Sequence, residues 1–173
     1  MNAAVTVFFL ILRVFSLYFL AVSLFGLCRR RTPEPATRLR RFAVLIAARN
    51  EESCIAGLIE SLRAQHYPPE LVDIWVLPNN CTDRTAEAAR RAGAQVLEMP
   101  ASVRSKGVAL HTAAKALLRS ARNYDAFCVF DADNEADPAF LSEMNRALDR
   151  TAIVKSRILA KNRTQAGISA CYE

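Results

Sequence analysis

Two aspartates offer the clearest chemistry in this sequence of 173 residues. Asp131 and Asp133 follow an apolar run, residues 127–130, that has the pattern of a fully buried strand. On an extended chain, side chains two residues apart point the same way, with Cα atoms roughly 6–7 Å apart. Two such carboxylates repel each other unless a cation lies near them, and oxygen ligands suit Mg²⁺ or Mn²⁺. The pair therefore predicts a divalent metal site; the alternative is that the acids only begin a surface loop.

The elements that must position these acids alternate between strand and helix patterns. Apolar runs predict strands at residues 42–48, 72–77, 95–97, 127–130 and 153–158. Helix patterns lie between them, such as the spacing of Ile55, Leu58, Ile59 and Leu62, and a further helix is predicted over residues 138–148. This alternation predicts an α/β fold in which a mostly parallel sheet carries helices on both faces.

Polar clusters occur where the predicted strands end and where one helix begins, at residues 49–52, 79–83, 104–106 and 131–134. Ligands of open parallel sheets bind at the carboxyl ends of the strands, where the following loops meet. We therefore expect the four clusters to line one binding cleft. The sequence contains neither a G-x-G-x-x-G nor a P-loop pattern, so this cleft is not of those two kinds.

The N-terminal segment differs from the rest of the chain in hydropathy. Residues 3–28 are apolar apart from Arg13 and a few hydroxyl side chains, and as a helix they would span about 39 Å. That length exceeds the hydrocarbon core of a bilayer, about 30 Å, so residues 1–28 are predicted to form a transmembrane helix. A cleavable signal peptide is the alternative, but no positive segment precedes the apolar run and no A-x-A site follows it.

The net charge of +6 is local rather than spread along the chain. Residues 29–41 hold six arginines against Glu34, whereas residues 42–173 hold 16 basic and 16 acidic residues. A basic stripe beside an apolar span predicts a juxtamembrane linker and a single-pass protein of the cell membrane whose globular part is cytoplasmic. It argues against nucleic acid as a partner. The five cysteines are odd in number and form no C-x-x-C, which predicts reduced thiols without a zinc site.

In their order and spacing, four segments resemble the nucleotide-sugar half of family 2 glycosyltransferases, which have the Rossmann-like GT-A fold. These segments are residues 44–52, 79–85, 106–110 and 130–134. The resemblance covers roughly residues 42–160, and it implies that residues 42–173 form part of a GT-A domain. It also implies transfer of a sugar from a nucleotide-diphosphate sugar, with a UDP-sugar favoured, to a polysaccharide or glycolipid acceptor.

The resemblance also implies a role for each matching position. Asp131 and Asp133 match the D-x-D motif that holds the metal and the sugar-nucleotide, and Asp133 would be the more direct metal ligand. Lys106 would approach the diphosphate, while Arg49 and Glu52 would line the nucleoside pocket. A divalent ion and a lysine both counter the negative charge of a diphosphate. The alternatives are a surface ion pair for Arg49 and Glu52 and a solvated helix start for Lys106.

Asn79 falls where many members of that family carry an aspartate that pairs with the base. The departure leaves the identity of the base open, but it need not abolish pairing. The amide oxygen of asparagine could accept the N3–H of uracil while its NH₂ group donates to a carbonyl. The alternative is that Asn79 is a turn residue of its loop.

Transfer to an acceptor hydroxyl requires a general base, and the four matching segments do not include one. The family carries that acid well beyond the D-x-D motif, and no residue after Asp133 is a convincing candidate. We therefore expect a donor half that lacks the acceptor half and the base. A non-catalytic remnant that still binds nucleotide-sugar is one alternative. A nucleotidyltransferase is another, but it requires a glycine-rich, arginine-bearing loop that residues 49–52 do not provide.

Overall fold

A computed structural model describes residues 3–26 and 35–158, which belong to two compact units. The described part of the first unit is one helix, α1 (Ala3–Gly26). Its segment Val5–Leu24, with a mean hydropathy of 2.3, is long and apolar enough to cross a membrane by length and composition. The predicted end of this helix at residue 28 and residues 29–34 of the basic stripe, with three of its six arginines, lie outside the described residues.

The second unit begins at Pro35, whereas the sequence predicted the domain boundary at residue 42. It is built on a sheet of four strands in the order β3-β2-β1-β4, and all neighbouring strands are parallel. The strands are β1 (Phe42–Ala48), β2 (Val72–Pro78), β3 (Gln95–Val96) and β4 (Ala126–Asp131). The parallel sheet predicted from the alternation is therefore confirmed.

Helices cover both faces of this sheet, as the sequence predicted. They are α2 (Ile55–Arg63), α3 (Thr85–Arg91), α4 (Lys106–Leu118) and α5 (Phe140–Ala147), and a short 3₁₀ turn, Pro69–Leu71, precedes β2. Helices α2 and α3 pack with the side chains of β1 that include Val44 and Ile46. Helix α4 packs on the opposite face, against Ala43 and Leu45. The alternation of side chains along β1 thus supplies one apolar surface to each helical layer.

Strand position decides how deeply each apolar run is buried. Strand β1 lies between β2 and β4, and nearly all of its residues are buried. Strand β4 is an edge strand of the described sheet, so its residues are mostly half-buried and Val129 is 52% exposed. The expectation that residues 127–130 are fully buried is therefore wrong, because an apolar run alone does not reveal whether strands flank it on both sides.

The strand predicted at residues 153–158 does not form in the described part of the chain. Residues 151–158 have no regular structure, and Ile153 and Ile158 are 86% and 73% exposed. A strand needs a neighbouring strand to complete its hydrogen bonds, and nothing described pairs with this segment. The β-branched residues that suggested the strand are therefore not sufficient to specify it.

The segment before β1 is bound to the α/β unit by a polar network. Arg40 donates to the carbonyl of Asn145 at 2.9 Å and to the carboxylate of Asp149 at 2.8 Å. The backbone N–H of Thr37 also donates to Asp149, and the hydroxyl of Tyr67 bonds the backbone of Arg40. A cation near the last carbonyls of α5 is favourable for the helix. Residues 37–41 are thus part of the folded unit.

Candidate functional site

The register of the sheet brings three polar loops to one edge. Ala47 of β1 lies opposite Asp131 of β4, and Ala48 lies opposite Pro78 of β2. Because the strands are parallel, the loops that follow them leave the sheet on the same side. Polar clusters that are far apart in sequence therefore meet at the carboxyl end of the sheet.

Lys106 and Asp131 form an ion pair at this edge. Asp131 is the last residue of β4, and Lys106 is the first residue of α4. The preceding residue, Ser105, caps α4 by accepting a hydrogen bond from the N–H of Val108 at 3.3 Å. The Lys106 and Asp131 side chains are 46% and 62% exposed, so water reaches both partners. The fourth polar cluster, which precedes α4, is therefore joined to the acidic end of β4.

The sequence predicted that the two aspartates lie on one extended strand, and this prediction is wrong. Strand β4 ends at Asp131, and the chain turns at Ala132 and Asp133. The N–H of Asn134 closes this turn by donating to the carbonyl of Asp131 at 3.2 Å. Ala132 is buried in the core, while both flanking aspartates are exposed. The turn thus anchors its apolar residue inward and leaves two carboxylates at the surface.

Thr85 ties the loop after β1 to the loop after β2. Its fully buried hydroxyl accepts the backbone N–H of Glu51 at 2.9 Å and donates to Asp83 at 2.5 Å. Asp83 also accepts the N–H of Glu52 at 3.1 Å. The hydrogen bond from the Thr85 hydroxyl lowers the pKa of Asp83 below its ordinary value, so this carboxylate stays ionised at a lower pH than a free aspartate would. The two loops are therefore held to each other by a part-buried hydrogen bond and by exposed ones.

The sequence suggested Arg49 and Glu52 for the nucleoside pocket. The structure gives these two side chains different surroundings. The carboxylate of Glu52 forms an ion pair with Arg84 at 2.9 Å and accepts the N–H of the same residue at 3.1 Å. Glu52 is therefore engaged in the tie between the loops. Arg49 is exposed, and within the described residues it has no hydrogen bond or ion pair. Its guanidinium is available to an anion at this edge.

Asn79 is buried where β2 ends, with 7% of its surface exposed. Its backbone N–H donates to the carbonyl of Ala48 at 3.0 Å, which continues the pairing of β2 with β1. Its side-chain oxygen accepts a hydrogen bond from the amide of Asn80 at 3.0 Å. The amide of Asn80 also donates to the carbonyl of Val103 at 2.8 Å, in the loop before α4. Asn79 and Asn80 thus connect the loop after β2 to the loop before α4.

Cys54 lies at the end of the loop after β1 and makes a hydrogen bond within that loop. Its thiol donates to the carboxylate of Glu51 at 2.9 Å. Burial, this hydrogen bond and the negative charges of Glu51 and Asp133 raise the pKa of Cys54 to about 11. The thiol stays protonated at neutral pH and acts here as a hydrogen-bond donor.

The sequence placed Asn80 and Thr85 within the segment 79–85 but assigned no role to either residue, and it did not single out Cys54. Thr85 and Asn80 each also bond to another loop, at Glu51 and Val103, and no local pattern reveals those contacts. One local signal does exist, because Asn50 and Asn80 adopt left-handed backbone conformations with φ of 59° and 52°. Asparagine tolerates this conformation better than most residues, and an asparagine after a strand marks such a turn.

Two cavities of the α/β unit lie away from this edge. One of about 270 Å³ borders the first residues of β2, including Val72 and Asp73. A more open one of about 590 Å³ is lined by Asp73 with Arg41 and Arg122, which pair with its carboxylate. Both are near the amino end of β2, opposite the polar loops. We place the functional site at the carboxyl edge because the exposed Arg49, Lys106 and the two exposed aspartates are there.

The sequence over residues 43–168 matches the profile of glycosyl transferase family 2, and the chain belongs to this family. It is similar to the probable glycosyltransferase YdaM of Bacillus subtilis, with 28% identity over 108 residues, 58% of this chain and 24% of that protein. It is also similar to beta-monoglucosyldiacylglycerol synthase of Nostoc sp., with 40% identity over 43 residues. That stretch is 25% of this chain and 9% of the synthase. The chain thus spans a quarter or less of these curated relatives.

Solved structures confirm the GT-A fold that the sequence resemblance implied. The mannosyltransferase PcManGT from Pyrobaculum calidifontis, in complex with GDP-Man and Mn²⁺, superposes with a TM-score of 0.61 at 22% identity. That match covers 78% of this chain and 40% of the mannosyltransferase. S. aureus TarS 1–349 in complex with UDP gives a TM-score of 0.53 at 21% identity, covering 63% of this chain and 32% of TarS.

Thr85→Val should loosen the tie between the first two loops. Valine has the shape of threonine but leaves the buried N–H of Glu51 without an acceptor, which costs about 1–3 kcal/mol. Hydrogen exchange of the Glu51 amide, followed by mass spectrometry or NMR, should become faster than in the unmodified chain. Thr151→Val, at an exposed threonine outside the network, is the matched control and should change nothing. Unaltered exchange at Glu51 in Thr85→Val would contradict the importance of this bond.

Proposed function

We propose that the chain provides the donor-binding part of a membrane-anchored glycosyltransferase. This part binds a nucleotide-diphosphate sugar, with a UDP-sugar favoured, and the acceptor is a polysaccharide or glycolipid. The observation that carries the proposal is the meeting of Lys106, Asp131 and Asp133 at the carboxyl edge of a parallel sheet. Family membership and the ligands of the similar structures, GDP-Man with Mn²⁺ in one and UDP in another, support it.

Asp131 and Asp133 are the residues we assign to a divalent metal ion. Their oxygen donors fit Mg²⁺ or Mn²⁺, and both carboxylates are exposed to an incoming ligand. Within the described residues there is no group of three or more histidine, cysteine, aspartate or glutamate side chains suited to a metal. Two carboxylates match an ion that takes its other ligands from a diphosphate and from water. When bound, such an ion counters the charge of the departing nucleotide.

The polar groups at the same edge suit two different parts of the donor. Lys106 lies at the start of α4, where the positive end of the helix dipole adds to its charge. Arg49 is exposed after β1 without a protein partner in the described part of the chain. We assign Lys106 to the diphosphate, and Arg49, Glu52 and Asn79 to the nucleoside side of the cleft. Glu52 contributes through its ion pair with Arg84, which stabilises the first two loops.

The membrane part of the proposal rests on α1 and the charges that follow it. Arg13 is the charged residue within this apolar helix, and charges in a bilayer are costly unless they reach an interface. The arginines of residues 29–41 favour a cytoplasmic position for the chain that follows. A cytoplasmic donor site would have direct access to soluble nucleotide-sugars, and an anchored one would remain close to a lipid-linked acceptor.

Binding of UDP should depend on a divalent ion and on Asp133. Isothermal titration of the detergent-solubilised full chain should give UDP binding with Mn²⁺ or Mg²⁺ and a large loss of affinity with EDTA. Asp133→Ala should lose this metal dependence because one of two carboxylate ligands is removed. Glu60→Ala, at an exposed carboxylate of α2, is the control and should behave like the unmodified chain. Equal affinity with and without EDTA would contradict the metal assignment.

Lys106→Met should affect the metal and the nucleotide in opposite directions. Without the ammonium, Asp131 has no competing cation, so Mn²⁺ alone should bind up to about fivefold more tightly, the equivalent of an exposed ion pair. UDP in the presence of Mn²⁺ should bind about tenfold or more weakly because a charged hydrogen bond is lost. Lys115→Met, at an exposed lysine of the same helix, tests for a general effect of charge. If Lys106→Met weakened the binding of Mn²⁺ as well as that of UDP, Lys106 would not be a competitor of the metal for Asp131.

The orientation of the chain can be tested by cysteine labelling of intact cells. In a background without the native cysteines, Ala36→Cys should resist a membrane-impermeant maleimide until the cells are permeabilised. Asn2→Cys should be labelled at once because the arginine-poor end of a single span faces away from the cytoplasm. Labelling of residue 36 in intact cells would place the globular part outside.

A further inference from the structure

We propose that Asn79 reads the base of the nucleotide as a hydrogen-bond donor, and that Asn80 is the positioning residue that fixes it in this orientation. The inference rests on the proposed function, since it concerns the nucleoside side of the same cleft. It adds a chemical rule for the ligand: the edge of the base that meets Asn79 must offer an acceptor, a carbonyl oxygen or an unprotonated ring nitrogen.

A backbone carbonyl determines how both side-chain amides are turned. The oxygen of Val103 can only accept, so the group of Asn80 that lies 2.8 Å from it must be the NH₂. The same NH₂ lies 3.0 Å from the side chain of Asn79, and two amino groups would not attract each other there. The atom of Asn79 that faces Asn80 is therefore its oxygen. The oxygen and the NH₂ group of an amide have nearly the same shape, so the hydrogen-bond partners decide which of them lies at each position.

The NH₂ group of Asn79 is consequently the part left for a ligand. It has no protein partner in the described part of the chain, and no buried side-chain nitrogen or oxygen there lacks one. The nitrogen must therefore reach the small exposed fraction of this otherwise buried residue. A donor presented from a buried position selects strongly, because a ligand that cannot accept its hydrogen bond leaves it unpaired.

The position of Asn79 suits a base rather than a phosphate. Asn79 pairs with the end of β1 from the β2 side, while Asp131 pairs with β1 from the other side. Two strand spacings, roughly 10 Å, therefore separate the buried amide from the charged pair. The charged groups suit the diphosphate, and the neutral amide suits an uncharged ring with polar edges. A nucleoside diphosphate can span the two when its base lies at Asn79.

Uracil and cytosine provide the sharpest test of donor against acceptor. At ring position 3, uracil carries an N–H donor where cytosine has an acceptor nitrogen. The present NH₂ group can bond the carbonyl of either base and the ring nitrogen of cytosine. Asn79→Asp retains the oxygen that Asn80 holds and replaces the outward donor with an acceptor. The substitution should therefore favour the N–H of uracil over cytosine.

The experiment is titration of the solubilised full chain with UDP and CDP at saturating Mn²⁺, with the ratio of the two dissociation constants, CDP over UDP, as the readout. Asn79→Asp should raise this ratio about tenfold or more. Asn80→Gly keeps the left-handed backbone, which glycine adopts freely, but removes the amide that holds Asn79. It should raise the ratio by a smaller factor because Asn79 can then also turn its oxygen outward.

The matched control is Asn123→Gly, at another asparagine with positive φ, exposed and outside the cleft. Its ratio should equal that of the unmodified chain. An unchanged ratio in both Asn79→Asp and Asn80→Gly, with binding retained, would overturn the donor role of Asn79 and leave the proposed function intact. Failure of the unmodified chain to bind UDP, CDP or GDP would instead overturn the proposed function, and the present inference with it.

Discussion

The parallel pairing of β1 with both of its neighbours is the constraint on which the site depends. Phe42 lies opposite Val72 on one side and Ala126 on the other, so the three strands begin level and also end nearly level. Both faces of β1 are covered by helices, and a shift of register by one residue would turn its apolar side chains to the wrong layer. The core therefore specifies where the loops start, and the loops carry the polar groups.

The strength of the Lys106–Asp131 pair matters for the proposed site, because a donor bound there would have to open this pair. An ion pair exposed to water contributes only about 0.2–1 kcal/mol, since solvent screens the charges and ordering the side chains costs entropy. A metal ion and a phosphate together offer each partner a stronger substitute. The pair thus neutralises the edge of the sheet in the ligand-free chain, and it is weak enough to yield. A buried pair in this place would oppose binding.

The sequence was sufficient to predict the alternating elements, the parallel sheet and the strand ends, because each depends on local apolar patterns. It was not sufficient where a residue depends on distant neighbours. Val129 belongs to an apolar run, yet its exposure follows from the edge position of β4. Residues 153–158 have strand-forming side chains but no described strand to pair with. The role of Thr85 depends on Glu51 and Asp83, and the first of these partners reaches it only through the fold.

The two sides of the proposed site differ in how their side chains are held. On the nucleoside side, Asn50 and Asn80 each adopt a left-handed backbone and also use their side chains to bind another loop, at Thr82 and Val103. Glycine would permit these turns but could not supply the hydrogen bonds, so asparagine both shapes and fastens the loops. On the proposed metal side, the exposed side chains of Lys106 and Asp131 pair with each other, and Asp133 is exposed as well. A preformed side fixes the geometry of recognition at little entropic cost on binding, whereas an adjustable side accommodates the ion and the phosphates that bind together. We therefore regard selectivity for the base as a property of the hydrogen-bonded loops, and affinity for the diphosphate as a property of the charges that rearrange.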